Sequence, residues 1–268
     1  MMKIGLALGG GGARGSYQIG VLRALMEENL LDNLDVVTGT SIGSFNACLI
    51  LEEMSYEEMF EVWEAIDNNI LYKESFDRFH NSRLALFDQE KMYDILVQKS
   101  NKEHVINSQI EGYVSVCKIP SNTFMNQLRR SQMEPMFLKL NNSEDPHKAI
   151  LASSSIPIVF GATEIEGEHY VDGGMLNILP TDKLEEIGCN IIIAIGLNKR
   201  KPIILNNPEI LVIDFSPKEN LSVTPLGILD FSKANLEHRS TVGYETAKEL
   251  IEQLKQEGLI DNNKWILK

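Results

Sequence analysis

The chain has 268 residues, of which 43% are hydrophobic and 24% are charged, and this composition argues against a largely disordered protein. Its net charge of −13 argues against nucleic-acid binding, which needs a basic face, and against adsorption to anionic lipid through charge. At this length, a single domain spanning residues 1–268 is the expectation.

The N-terminal segment and the cysteines bear on where the chain works. The apolar run that begins at Ile4 is too short for a signal peptide, and no stretch approaches the roughly 18 apolar residues of a membrane-spanning helix. The three cysteines, Cys48, Cys117 and Cys189, form no Cys-x-x-Cys pair, so neither a disulfide framework nor a structural zinc site is expected. Both features predict a cytoplasmic protein.

The predicted elements alternate between strands and helices. Short apolar runs predict four buried strands: residues 3–8, 36–38, 190–196 and 210–215. Apolar residues at helical spacing predict four helices: residues 14–28, 42–52, 180–188 and 241–257. A strand, a glycine-containing loop and a helix in repeated succession are typical of a mainly parallel α/β sheet.

The stretch over about residues 55–110 departs from this alternation. Its pattern is helical but irregular, with many large apolar residues: Met54, Met59, Phe60, Trp63, Phe76, Phe79, Phe87 and Met92. One interpretation is a helical insertion that caps a site; the other is core packing, where Met and Phe at helical spacing are usually found. After it, residues 113–117 and 136–140 are predicted as strands.

Four consecutive glycines, Gly9 to Gly12, separate the first strand from the first helix. Glycines bring bare N–H groups close to a ligand, and a helix N-terminus adds a partial positive potential. An anion site is the interpretation, and a plain tight turn is the alternative. Gly10-x-Gly12-x-x-Gly15 also matches the dinucleotide fingerprint, but that fingerprint needs an acid at the end of the second strand, whereas Asp35 precedes it.

The pentapeptide Gly39-Thr40-Ser41-Ile42-Gly43 lies between the second strand and the second helix. In G-x-S-x-G the small flanking residues permit a strained turn that projects the serine hydroxyl above the sheet edge. An ordinary helix N-cap is the alternative role for Ser41. The buried strand before the motif and the apolar helix after it favour a nucleophile, which the neighbouring glycine loop would supply with an oxyanion hole.

A third segment, Tyr170-Val171-Asp172-Gly173-Gly174, follows a predicted hairpin at residues 166–168. Asp-Gly is a common hairpin turn. The spacing alone therefore leaves open whether Asp172 is a catalytic base or a turn residue.

Together these segments resemble the patatin-like phospholipase family, in particular its small bacterial single-domain members. Four segments carry the resemblance in the family's order: residues 10–15 (oxyanion motif), 39–43 (nucleophile elbow), 152–157 with Phe160 (an A-S-x-x-x-P-x-x-F segment) and 172–174 (aspartate motif). The resemblance covers most of the chain, from Ile4 to about Ile195. It implies a three-layer α/β/α fold with a mainly parallel central sheet and a helical insertion over the active site.

The resemblance also implies an activity. A dyad of Ser41 and Asp172 would cleave acyl esters of phospholipids and related lipids, as a phospholipase A, lysophospholipase or carboxylesterase does, with Gly10, Gly11 and Gly12 forming the oxyanion hole. No metal or other cofactor would be needed, and the sequence has no EF-hand-like ligand run. Transient contact with a membrane surface would depend on apolar contact or local basic spots, and the oligomeric state is not readable.

Burial would raise the pKa of Asp172 and make its carboxylate a more effective base. A Ser-Asp-His triad is the competing hypothesis, and His238 is the histidine that follows both acids suitable for it, Asp172 and Asp214. The charged residues around His238 instead indicate a solvated helix surface.

The role of Arg14 and the kind of substrate stay open at the level of sequence. Arg14 would either hold the glycine loop in shape, which we favour, or bind substrate phosphate. The substrate could be a thioester, an acylated protein or a small ester. A non-catalytic lipid- or partner-binding module with the same fold is the hypothesis from a different functional class.

Overall fold

The computed structural model describes residues 2–66, 89–157, 159–199, 201–222 and 225–267. Ten strands lie within these ranges: β1 (Ile4–Leu8), β2 (Val36–Thr40), β3 (Glu111–Ile119), β4 (Glu134–Lys139), β5 (Thr163–Ile165), β6 (Glu168–Asp172), β7 (Ile191–Ile195), β8 (Leu211–Asp214), β9 (Ile260–Asp261) and β10 (Lys264–Trp265). Eight of them form one sheet in the order β5-β6-β3-β2-β1-β7-β8, with β4 paired to β3, and β9 and β10 form a separate hairpin.

Nine α-helices lie within the same ranges: α1 (Ser16–Glu27), α2 (Ile42–Leu51), α3 (Tyr56–Ala65), α4 (Gln89–Lys99), α5 (Lys102–Asn107), α6 (Phe124–Leu128), α7 (Pro146–Ser153), α8 (Thr181–Ile187) and α9 (Lys233–Gln256). No helix in these described ranges is long and apolar enough to cross a membrane.

The eight-stranded sheet is mixed but mainly parallel, and its parallel part is covered on both faces. The five strands β3-β2-β1-β7-β8 run parallel to one another, which explains why a strand such as β7 has the wholly apolar sequence Ile-Ile-Ile-Ala-Ile. Leu6 on one face of β1 joins the core formed with α1, α2, α3, α7 and α9, whereas Ala7 on the other face packs with Leu184 of α8. This confirms the predicted α/β/α arrangement.

The starts of two helices differ from the predictions by two residues or more, for physical reasons. The first helix begins at Ser16 because a 3-10 turn over Gly12–Gly15 comes before it, and Gly12 there has a φ of 58°. The last helix begins at Lys233 rather than at residue 241. Its buried positions in that added part include Arg239 and Ser240, whose polar side chains hide the apolar periodicity.

The described part of the 55–110 stretch that precedes residue 67 belongs to the core. In α3 the side chains of Met59 and Trp63 are buried, and the Trp63 Nε1–H donates to Asn46 Oδ1 at 2.8 Å. For α3, core packing is therefore the correct interpretation. Phe76, Phe79 and Phe87 lie outside the described residues, so a cap over the active site stays a prediction.

Candidate active site

Strand β3 brings the ends of two other strands together. Its pairing with β4 overlaps its pairings with both β2 and β6, so β2 and β6 must share the opposite edge of β3. There Thr40 lies opposite Ser115, and Asp172 lies opposite the next residue, Val116. The carboxyl ends of β2 and β6 therefore meet end to end, and Ser41, which follows Thr40, is placed beside Asp172.

Ser41 lies in a strained turn between β2 and α2. Its φ of 55° and ψ of −125° are unusual for a residue other than glycine. Although it occupies the N-cap position of α2, its side chain makes no capping hydrogen bond, so the N-cap hypothesis is wrong. A Cβ at Gly43 would lie 2.2 Å from the Leu8 carbonyl oxygen, and one at Gly39 would lie 2.5 Å from the Gly43 carbonyl oxygen. This confirms the tight elbow that the sequence predicts.

Asp172 combines burial with two hydrogen bonds. Its side chain is 6% exposed; its carboxylate accepts from the Ser41 hydroxyl, and its Oδ1 accepts from the Gly174 N–H at 2.7 Å. Desolvation raises the pKa of Asp172 to about 6, and the two hydrogen bonds oppose this rise. The predicted upward shift of the pKa is confirmed. The hairpin turn itself lies at Glu166 and Gly167, where φ is positive, so Asp172 is not its turn residue.

Two serines at the end of α7 brace the site. Ser153 Oγ accepts from the Ser41 N–H at 3.0 Å and donates to the Ser115 carbonyl oxygen at 2.7 Å. The Asp172 N–H donates to the Ser155 carbonyl oxygen at 2.9 Å. The sequence pattern assigned these serines no role of their own. One feature of the sequence could have suggested a role: the serines directly follow apolar residues of α7 and are therefore expected to be buried. Buried hydroxyl groups need hydrogen-bond partners.

The glycine loop follows β1 and lies against the elbow. A Cβ at Gly10 would be 3.2 Å from Ser41 Cβ, so any larger residue would crowd the elbow. The Gly10 N–H donates to the Ile178 carbonyl oxygen at 2.8 Å. In this conformation Gly10 therefore has no N–H to offer an oxyanion, which corrects the expectation for that residue. Gly11 and Gly12 open a 3-10 turn, and the first N–H groups of a helical turn have no acceptor within it.

Two arginines hold carbonyl groups of the glycine loop. Arg14 Nε donates to the Gly11 carbonyl oxygen at 3.1 Å, and its Nη1 donates to Asn198 Oδ1 at 3.1 Å. Arg239 Nη1 donates to the Ala13 carbonyl oxygen at 3.1 Å. These contacts fit the shape-holding role favoured for Arg14.

The expectation that the segment around His238 is solvated is wrong for one residue. Arg239 is 3% exposed, because it reaches backbone carbonyls that a pattern of charges does not reveal. His238 itself is exposed on α9, as a solvated surface residue should be.

The acidic residues considered for a dinucleotide site and for a Ser-Asp-His triad, Asp35 and Asp214, have other hydrogen-bond partners. Asp35 Oδ2 accepts from the Ile4 N–H at the amino end of β1, so it is not at the edge where a dinucleotide would bind. Asp214 ends β8 and its Oδ1 accepts from the Ser216 N–H. Within the described ranges, no group of three or more His, Cys, Asp or Glu residues is arranged to hold a metal ion.

A family model described as "Patatin-like phospholipase" matches residues 6–184. Patatin-like phospholipase domain-containing protein 7 of Rattus norvegicus is 28% identical over 219 residues, which cover 76% of this chain and 14% of that protein. Lysophospholipase nte1 of Aspergillus terreus is 24% identical over 312 residues, covering 96% of this chain and 19% of that protein. The chain thus spans less than a fifth of either relative.

A comparison of structures agrees on the fold. Human GIVD cytosolic phospholipase A2 superposes with a TM-score of 0.50 and a sequence identity of 10%, over 96% of this chain and 63% of that chain. At this identity the likeness concerns the fold alone. Since the family model matches well over half of the sequence, this chain belongs to the patatin-like phospholipase family.

Proposed function

We propose that this chain is a serine acyl hydrolase that cleaves carboxylic ester bonds of lipids through Ser41 and Asp172. One observation carries the proposal: a buried serine in a strained elbow is hydrogen-bonded to a desolvated aspartate. Membership of the patatin-like phospholipase family supports it, as do the names of relatives that are called lysophospholipases. Phospholipase A, lysophospholipase and carboxylesterase activities all fit this chemistry.

In the proposed reaction Asp172 acts as general base. Its carboxylate takes the hydroxyl proton as Ser41 Oγ attacks the ester carbonyl carbon. When the tetrahedral intermediate collapses, the bond to the alcohol breaks and Asp172 returns the proton to the leaving oxygen. A water molecule, deprotonated by the same carboxylate, then attacks the carbonyl carbon of the acyl-enzyme. The bond to Ser41 Oγ breaks as Asp172 returns the proton to Oγ, which releases the carboxylic acid and regenerates Ser41.

The negative charge of the intermediate would be met by the glycine loop. Gly11 and Gly12 are the proposed donors, because the Gly10 N–H is already bound to the Ile178 carbonyl oxygen. Arg14 would support these donors by holding the Gly11 carbonyl group. Removing one such donor in other serine hydrolases costs about 100- to 1,000-fold in rate. These steps use groups of this chain and no cofactor; the cytoplasmic location and transient membrane contact stay predictions.

The test is hydrolysis of p-nitrophenyl esters of increasing acyl length by wild type and single variants. We expect Ser41→Ala and Asp172→Ala to lose about a thousandfold or more in kcat. The control His238→Ala changes an exposed residue and should keep its rate, whereas a Ser-Asp-His triad requires it to fail. Full activity of Ser41→Ala would refute the proposal.

A further inference from the structure

We propose that Gln18 and Asn46 are positioning residues whose side-chain amides hold the two ends of the glycine loop in place for the oxyanion. The inference rests on the proposed acyl-ester hydrolysis and assigns a role to two residues that the proposed chemistry does not use. Gln18 lies in the first turn of α1, and Asn46 lies in the middle of α2. Both residues are fully buried.

Gln18 fixes the beginning of the loop. Its Nε2 group donates to the Gly9 carbonyl oxygen and to the Ile195 carbonyl oxygen at the end of β7, both at 2.9 Å. In a planar trans peptide the carbonyl and N–H groups point in opposite directions. Because Gln18 holds the carbonyl group of Gly9, the N–H of Gly10 points the other way, where the Ile178 carbonyl oxygen accepts it at 2.8 Å. Gln18 thus sets the direction of the first peptide group of the loop.

Asn46 fixes the end of the loop and links it to the first amide. Its Nδ2 group donates to the Gly15 carbonyl oxygen at 3.0 Å and to Gln18 Oε1 at 2.8 Å. Since α2 begins directly after Ser41, Asn46 also joins the helix of the proposed nucleophile to the loop. The spacing between Ser41 and the N–H groups of the loop is therefore set in part through Asn46, and catalysis is sensitive to such spacing.

The hydrogen bonds of the two amides are complete, and this fixes their orientation. All four of their N–H groups have carbonyl acceptors, and each amide oxygen accepts one bond. The bond to Asn46 Oδ1 comes from the buried Trp63 Nε1–H at 2.8 Å. If either amide turned over, its oxygen would face carbonyl oxygens that cannot bond to it. Trp63 therefore orients Asn46, and Asn46 orients Gln18.

The partners of this amide pair favour a role in catalysis over a role in stability alone. Burial of two amides costs desolvation free energy that their hydrogen bonds only roughly offset, and two apolar side chains of the same size would fill the space as well. Apart from Ile195, the main-chain partners of the pair are Gly9 and Gly15. Gly11 and Gly12, the proposed oxyanion donors, lie between them, in a segment that is held at both ends.

The experiment measures kcat and KM for a p-nitrophenyl ester in Gln18→Met and Asn46→Leu, which keep the approximate size of each side chain and remove its amide. The oxyanion forms only after the substrate has bound, so we expect kcat to fall about tenfold or more and KM to stay within about threefold. The losses should not add in the double variant, because either substitution already releases the loop.

Asn141→Leu is the matched control. The amide of Asn141 also makes three bonds, with the main chain of Ser108, Ile110 and Gly112, but at the amino end of β3 and so at the sheet edge opposite Ser41. Its kcat should stay within twofold of wild type. An equal fall in this control, or a wild-type kcat in both loop variants, overturns the inference. The proposed function is judged separately, by hydrolysis in wild type and its loss in Ser41→Ala.

A pair of tryptophan variants tests the same inference if the amide variants fail to fold. Trp63→Phe removes the N–H that orients Asn46 and leaves the bonds to the loop. Trp265→Phe removes the other indole N–H of the chain, which is buried as well and donates to the Leu30 carbonyl oxygen at 2.9 Å. We expect kcat to fall about fivefold at unchanged KM in Trp63→Phe and to stay within twofold in Trp265→Phe. Equal kcat values in the two variants overturn the inference.

Binding of an alkyl trifluoromethyl ketone gives a readout specific to the oxyanion. Ser41 Oγ adds to the ketone carbon, the hydroxyl proton passes to Asp172, and the ketone oxygen becomes an oxyanion. In each folded loop variant the dissociation constant should rise by about the same factor as kcat/KM falls. A wild-type dissociation constant in these variants overturns the inference. A wild type that hydrolyses no ester removes the proposed function, and this inference with it.

Discussion

Asp172 combines two properties that oppose each other in a general base. Its burial raises the pKa to about 6, which makes the carboxylate a stronger base than an exposed aspartate. The hydrogen bonds from Ser41 and Gly174 limit this rise, so the group stays mostly ionised at neutral pH. A pKa just below the working pH is the condition in which a carboxylate accepts a proton most effectively.

The first prediction concerns the pH dependence of the rate. Below pH 6 the carboxyl of Asp172 is protonated and cannot accept the proton of Ser41, so kcat/KM for a neutral ester should fall about tenfold per pH unit. Above pH 6 it should be nearly constant. Initial rates between pH 4.5 and 8 measure this. A rate that stays constant down to pH 4.5, as it would with the ordinary pKa of 3.8, would contradict the role of burial in tuning this base.

The second prediction concerns stability. Because the folded-state pKa of Asp172 lies above its ordinary value of 3.8, the folded chain binds this proton more tightly than the unfolded chain does. The contribution of Asp172 to the free energy of unfolding should therefore decrease as the pH rises from about 4 to about 6. Asp172→Asn lacks this charge, so it should be the more stable protein at pH 8, by up to about 3 kcal/mol.

Urea titrations of both proteins at pH 5 and pH 8 test this prediction. The advantage of Asp172→Asn should shrink at the lower pH. If Asp172→Asn is no more stable than wild type at pH 8, the buried charge of Asp172 does not lower the free energy of unfolding.

The third prediction concerns Ser153, which fixes the backbone of the nucleophile. Ser153→Ala leaves the Ser41 N–H and the Ser115 carbonyl oxygen without their partner, so we expect a loss of about 1–3 kcal/mol in stability and about tenfold in kcat. Ser155→Ala is the control, because its buried hydroxyl bonds to Leu151 and Thr163 and not to the elbow. Equal losses of kcat in both variants would mean that Ser153 has no special role.

At the scale of the elements, the glycine loop depends on a distant helix. Arg239 of α9 donates to Ala13 in the loop and to the carbonyl oxygens of Asp230 and Gly227. Close contact between α1 and α9 holds this arrangement: a Cβ at Gly20 of α1 would lie 1.9 Å from the Ser240 carbonyl oxygen. The geometry of the proposed oxyanion hole is therefore set in part by residues far along the chain.

The fourth prediction follows for Arg239→Lys. An ammonium group cannot reproduce the planar set of donors that bonds three carbonyl groups, so we expect a loss of about 2 kcal/mol or more in unfolding free energy. The loop should shift as well, and kcat should fall about tenfold. Chemical denaturation and ester hydrolysis measure the two effects. The neighbouring His238→Ala should change neither, and a fully active, fully stable Arg239→Lys would contradict this role.

The elements that the sequence predicted share one property: their apolar residues recur in a local pattern that matches the buried positions of a helix or a strand. β1 and β7 are covered on both faces, so their sequences are continuously apolar and easily recognised. The beginning of α9 escaped prediction because Arg239 and Ser240 occupy buried positions there. Burial of a polar group depends on partners distant in sequence, and no local pattern shows them.

At the scale of the whole molecule, some features of the site follow from local sequence motifs, and others depend on contacts between residues distant in sequence. The family resemblance pointed to Ser41 and Asp172 because the elbow and aspartate motifs are local, but their end-to-end placement along β3 is a property of the sheet topology. The occupied N–H of Gly10 depends on Ile178, which lies far away in the sequence. That the chain forms a single domain stays a prediction.

Labelling with a fluorophosphonate, which phosphonylates an activated serine hydroxyl, followed by peptide mass spectrometry tests the proposed nucleophile without assuming any substrate. We expect one adduct, on the peptide that contains Ser41, and labelling about a hundredfold slower or more in Asp172→Asn because the base is lost. An adduct on another serine, or undiminished labelling of Ser41→Ala, would contradict the assignment of Ser41 as the nucleophile.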